Sequence, residues 1–362
     1  MRIVRAMAAV MAVFHLSTAI EAQNRTSTPR VELRSAPLLY LPGEVDSNSP
    51  AVWERVGSRN LLFVMTSESG TPRRAWGRDL VNMGTSRQVA LAPWPGGGVR
   101  MESVIRDVDG TWYGYYHNEI PADVCGRSDK MIPRIGAARS RDRGNNWEDL
   151  GIVLEAPPRS FTCSTINAYF VGGVGDFTVQ LDAASRDLYF FSSLYLRTTM
   201  SQGVGVARLA WADRDAPVGK MMVWRNGTWV PATPVRAAEA ERWIYPAASP
   251  IFPAAESWHD ADQLVDAFWG PSVHWNTHVN HYVMLLSRAK DVDYKQEGVY
   301  VSFARSLEDP RTWSGPTRIL KGGTWYPQVL GLEDGTGTDK IAGEWARFFM
   351  LGESRHVIRF LP

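Results

Sequence analysis

Five short segments of the chain repeat one another: Ser49-Pro50-Ala51-Val52, Glu102-Ser103-Val104-Ile105, Asp176-Phe177-Thr178-Val179, Gly270-Pro271-Ser272-Val273 and Tyr326-Pro327-Gln328-Val329. In the first four an aromatic- or aliphatic-rich run follows closely (Leu61–Met65, Thr111–Tyr116, Leu188–Ser192, His281–Leu286); in the fifth, Arg347–Leu351 comes only after the insertion Glu333–Glu344. The openings recur every roughly 50 to 90 residues, the length of a four-stranded blade with uneven loops. Asp107–Gly110 and the polar run Asp182–Arg186 supply turn chemistry between the first two strands of their blades. Little helical periodicity interrupts this pattern, and 15 Trp, 12 Tyr, 31 Gly and 22 Pro suit strands and turns. The expectation is an all-β chain folded as one five-bladed β-propeller over residues 31–362, each first strand facing a central channel.

The last blade is short of a strand. After Val329 only Arg347–Leu351 and His356–Phe360 remain, while Arg34–Leu41 near the start has no partner. Pairing the two termini in one blade would close the ring and protect both edges. Ser140-Arg141-Asp142-Arg143-Gly144-Asn145-Asn146-Trp147 fits S-x-D-x-G-x-x-W and resembles the Asp box of sialidase-type propellers, with a degenerate copy at Ser306–Trp313. That motif implies a braced turn and an inter-blade Trp, a structural signature rather than a catalytic one.

The five openings resemble the inner strands of the five-bladed glycosidase clan, glycoside hydrolase families 43, 32 and 117 among them, in which a carboxylate precedes a Pro-x-Val-like step. The resemblance implies inner-strand acids at Glu102 and Asp176, and in the first blade, where Ser49 precedes Pro50, at Asp46. In the fourth blade Trp269 stands where the clan has an acid, so its mechanism does not transfer unchanged. Hydrolysis of a glycosidic bond needs two carboxyl groups with opposed duties. Asp46, Glu102 and Asp176 are the catalytic candidates, each weighed against a carboxylate that only caps backbone N–H groups of the next blade. His117, at the end of the second strand beside Asn118 and Glu119, could hydrogen-bond a sugar or supply the missing acid. Trp269, Trp325 and Tyr326 fall beside the channel mouth, where flat rings stack on sugars or pack between blades. His274 is a channel-lining candidate, and Glu297 and Asp266 are reserve acids.

Arg2, Arg5 and the apolar stretch Ala6–Ile20, too short to span a bilayer, read as an export signal over residues 1–22, with a buried helix as the alternative. A flexible leader is expected over 23–30, and no later segment spans a membrane. Export to the periplasm or beyond allows Cys125 and Cys163 to form one disulfide, the alternative being two separate buried thiols. Neither has a neighbour at ligand spacing, so no metal site is expected. No cofactor is expected either; the central channel is the one place left for a structural Ca2+ ion or water. The net charge of +1 falls to zero once Arg2, Arg5 and Glu21 leave with the signal, which gives no footprint for nucleic acid. A P-loop, a dinucleotide fingerprint, a nucleophile elbow and a zinc-protease motif are absent from the sequence. The functional expectation is a monomeric carbohydrate-active enzyme that hydrolyses oligo- or polysaccharide. A non-catalytic glycan-binding propeller and a structural or protein-interaction propeller are the alternatives.

Overall fold

The computed structural model describes residues 28–156, 158–182, 186–232, 235–237, 242–244, 247–260 and 264–362. The export signal expected over 1–22 lies outside them. Five mainly antiparallel sheets form the five blades of a propeller, two of them with one added parallel strand. Their innermost strands are Ala51–Val56, Gly98–Arg106, Val174–Asp182, Ala267–Asn276 and Gln328–Gly331, each beginning at or containing one of the repeated openings. The second strands, Arg59–Glu68, Trp112–Ala122, Asp187–Tyr195, His281–Ala289 and Trp345–Met350, pair antiparallel with them.

Blade five closes as the strand count requires. Its order runs Gln328–Gly331, Trp345–Met350, Glu353–Leu361, then the N-terminal strand Arg30–Tyr40 on the outside. Arg34 pairs with Val357 and Ser35 with His356, and the pairing starts at Arg30 opposite Leu361. The strand therefore starts at Arg30, the last residue of the expected leader, because that backbone already has a partner at the C-terminal edge. Val31 and Leu33 pack onto Ile358 and Phe360, so closure is hydrophobic as well as hydrogen-bonded.

Packing between blades follows from strand alternation: every second side chain faces the neighbouring sheet. Phe63 meets Trp112 edge-on at 5.6 Å between blades one and two, Tyr115 meets Phe190 at 4.8 Å between two and three, and Phe191 meets Trp313 at 5.4 Å between three and four. At the turn between the third and outer strands of blade two, Asp142 accepts from the backbone N–H groups of Asn145 and Asn146, and Ser140 donates to it. Gly144 sits there at φ +74°, where a Cβ would meet Trp112 at 2.8 Å. Among the described residues no helix is long and apolar enough to cross a membrane.

Candidate active site

The repeated openings are where the inner strands break register. In blades two, three and four the pairing skips a step at Glu102, at Asp176 and at Gly270-Pro271. Asp176 (φ +40°), Gly270 (φ +56°) and Tyr326 (φ +55°) take left-handed backbone there. A bulge re-aims the side chain it carries, and a left-handed non-glycine residue is strained backbone of the kind that collects at functional sites. In four of the five blades the repeat thus marks a re-aiming at one mouth of the channel.

Beneath that mouth lies a sealed cluster. Glu102, fully buried, accepts from the backbone N–H of Phe177 at 2.7 Å, and its other oxygen is 3.0 Å from His117 Nδ1. His117 Nδ1 is also 3.7 Å from Asp176, and its Nε2 is 3.5 Å from Glu119. A Cβ at the neighbouring Gly175 would meet His117 Cε1 at 2.8 Å, so the residue before Asp176 must be small for the imidazole to fit. Burial opposes charge on His117, but the hydrogen bond to Glu102 and the charges of Asp176 and Glu119 outweigh it and raise its pKa. Burial raises Glu102 and Asp176 above the usual carboxylate range. Ligand atoms of Glu102, His117 and Asp176 all lie within 4.8 Å of one another, a spacing a cation could bridge. Here hydrogen bonds from His117, Phe177 and Tyr195 use the same lone pairs, so the set fits a proton-sharing cluster better than a metal site.

Above the cluster opens a pocket of about 250 Å³. Asp176 reaches it from below, its carboxylate accepting from Tyr195 Oη at 2.5 Å and from Tyr326 Oη at 3.2 Å. Burial pushes both phenols well above their ordinary range, so they stay donors. Asp46 and Glu119 share one guanidinium: Arg100 Nε donates to Asp46 at 2.7 Å, and Nη1 lies 2.8 Å from Glu119 as an ion pair without hydrogen-bond alignment. Burial works against the charge of Arg100, and Glu119 and Asp46 more than restore it. With one guanidinium between them, the two carboxyl groups lie within the roughly 10 Å upper limit for glycosidase pairs.

Aromatic side chains form the walls: Tyr169 and Phe170 from the segment before blade three, Trp269 and Tyr294 from blade four, Trp325 and Tyr326 at the opening of blade five. Asn167 shapes the first of these segments by accepting from the N–H groups of Tyr169 and Phe170. Cys125 and Cys163 form the expected disulfide, with Cα atoms 5.1 Å apart. Arg127 donates to the Cys163 carbonyl and Lys130 to that of Ala168, fixing the same segment to blade two.

The expected residues divide. Asp46, Asp176, Trp269, Trp325 and Tyr326 line the pocket. Glu102 and His117 do not: the bulge turns Glu102 toward the next blade's backbone, and the imidazole is covered by the residues above it. His274 is corrected too. It lies further down its inner strand, fully buried against Phe360 at 5.3 Å between ring centres, away from the pocket. Burial and the charge of Lys340 push it down to about 3. Lys340 itself is buried, donating to Ser103 and Thr178 of blades two and three. Asp266 is bound to Arg288, and Glu297 to Arg318 and Tyr300, outside the pocket. Arg100, Asp129, Tyr169, Phe170 and Tyr294 were not singled out, and Glu119 only as a neighbour of His117. Strand alternation holds the one available signal, since Glu119 follows His117 by two residues. Other surface hollows reach about 620 Å³; the one beside Trp211 is lined by Asp107, Asp109 and Asp187, with Asp107 tied to Arg214 and Asp187 to Arg208.

No family model and no curated protein matches the chain. Among solved structures it is similar to a thermostable family-43 glycoside hydrolase, at 13% identity over 90% of this chain and 91% of that one, with a TM-score of 0.49. It is also similar to an exo-1,5-alpha-L-arabinanase from a bovine ruminal metagenomic library (14% identity, 88% and 95% covered, TM-score 0.48). A third is the catalytic domain of the Coprinopsis cinerea GH62 alpha-L-arabinofuranosidase (11% identity, 92% and 97% covered, TM-score 0.48).

Proposed function

We propose that the protein is an exported glycoside hydrolase whose reaction takes place in the aromatic-walled pocket. The observation that carries this reading is the convergence of Asp46, Glu119 and Asp176, from blades one, two and three, around one half-buried arginine. Their surroundings divide the labour that hydrolysis needs. Asp176, raised by burial, holds a proton and gives it to the leaving oxygen; its longer contact, to Tyr326, is the one that oxygen replaces. Asp46, ion-paired to Arg100 and one-third exposed, activates water or attacks the anomeric carbon. Glu119 binds sugar hydroxyls and keeps Arg100 in place. Glu102 is a positioning residue: it orients His117, which in turn faces both Asp176 and Glu119. The ring of Trp325 supplies an apolar face for a sugar, with the buried Trp269 packed edge-on against it.

One observation favours a second reading. Trp269 occupies the fourth-blade position where an acid is expected, and its buried indole N–H makes no hydrogen bond within the described residues. The same pocket without turnover would be a glycan-binding site. Incubating the purified protein with aryl glycosides and polysaccharides, beside Asp46→Asn and Asp176→Asn, separates the two. Turnover abolished by both substitutions supports the hydrolase; sugar binding with no turnover by the parent protein supports the binding propeller.

A further inference from the structure

Every blade contributes to the lining of the pocket. On the side where a long chain would leave over blades three to five, the segment before blade three crosses the mouth. Tyr169 meets Tyr294 of blade four at 5.5 Å and Trp325 at 6.2 Å, and the Ala168 N–H donates to Val292 at 3.1 Å. This wall is held at its other end by the Cys125–Cys163 disulfide. A volume of about 250 Å³ falls below the range of roughly 300–1,000 Å³ typical of drug-sized ligands.

The lining leaves no cation free for an anionic ligand. Arg100 is its one basic group, with Nε and Nη1 already facing Asp46 and Glu119, while Asp129 is held by Arg127 and Lys130. A ligand carboxylate placed here would meet like charges without a free cation to receive it, which is how a site rejects a ligand.

On the reading given under the proposed function, we infer that the pocket is a subsite for one terminal, non-anionic sugar residue, closed by the Tyr169 wall, so that the protein works from chain ends and passes over uronic and sialic acids. Binding tests this without requiring turnover. Saturation-transfer NMR of the full chain would use neutral hexasaccharides of xylose, arabinose, galactose and mannose, each beside a counterpart ending in a uronic acid, and lactose beside sialyllactose. The expected result is saturation concentrated on one terminal ring, with acidic counterparts binding at least tenfold more weakly. In Tyr169→Ala, checked for an unchanged melting temperature, saturation should spread to the second ring. Saturation over several inner rings in the parent protein, or equal binding of the acidic sugars, overturns the inference. Binding of one terminal ring without hydrolysis overturns only the hydrolytic reading. No binding by any of these sugars overturns both.

Discussion

Glu102 Oε1 and His117 Nδ1 lie 3.0 Å apart, sealed under a pocket that neither residue lines. Their neighbours explain the arrangement. The other Glu102 oxygen accepts from Phe177, the residue after Asp176, and His117 stands between Asp176 and Glu119. The pair therefore fixes two of the three carboxyl groups of the pocket from below. Both members have raised pKa values, so the folded state holds more protons here than the unfolded chain does. Stability contributed by such groups is complete below their unfolded values and is lost as pH rises through the folded ones. Denaturant melts should show falling stability from neutral to alkaline pH. That slope should flatten in Glu102→Gln, which leaves the imidazole only its longer pairs with Asp176 and Glu119; breaking a buried pair in this way costs up to about 3–5 kcal/mol. A parent protein that gains stability between pH 7 and 9 would contradict this account.

For the reaction, Asp176→Asn should lower kcat on the order of 10²- to 10⁴-fold while the protein still folds, because an amide cannot donate the proton. Asp46→Asn should fall comparably. Trp325→Ala should act chiefly on KM, since its ring faces the sugar rather than the reacting bond. Steady-state kinetics on whichever aryl glycoside is turned over would check all three.

His274 gives a pH signature at the opposite end. Its folded pKa of about 3 lies below the ordinary histidine value, so the neutral ring is the form the fold accepts. That contribution is present above about pH 6.5 and is lost as pH falls toward 3; at pH 4.5 it amounts to about 2–3 kcal/mol. His274→Leu should therefore flatten the acid limb of a stability-versus-pH curve while leaving the neutral region nearly level.

The disulfide spans 38 positions of sequence and anchors the chain at Cys163, just before the segment that carries the Tyr169 wall. Chain-entropy arguments assign a loop of that length about 4 kcal/mol. Cys125→Ser with Cys163→Ser should lower the melting temperature and weaken sugar binding together. The unreduced protein should show no titratable thiol.

Deleting residues through Tyr40 should remove the outer strand of blade five and bare the Glu353–Leu361 edge. An exposed edge of that kind pairs with other chains. Size-exclusion chromatography should show aggregation or loss of the folded species, and an unchanged monomer would mean that ring closure does not depend on this strand.

Much of the fold was legible because it is written in local repetition. The five openings, their partner strands and the unpaired terminal strand are patterns of adjacent residues, and strand pairing turned each into the expected blade. The disulfide was legible from an even count of cysteines in loop-like sequence. The site was legible only in part. Asp46, Asp176, Trp269, Trp325 and Tyr326 came from the repeat alignment, which fixes height along the channel but not the direction of a side chain at a bulge. One irregular step sends Glu102 into the wall of the next blade and Asp176 up into the pocket.

The sequence by itself determined that the chain would form stranded blades, how many of them, and which N-terminal strand was left to pair, because each of these is decided by hydrophobic alternation and turn chemistry between near neighbours; the four strands expected per blade become five or six in three of them. Only the tertiary structure decided which acids share a pocket. Arg100 joins Asp46 to Glu119 across two blades, and Tyr326 reaches Asp176 from a residue 150 positions away. Such contacts depend on the twist and packing angle of whole sheets, and no short window of sequence records those.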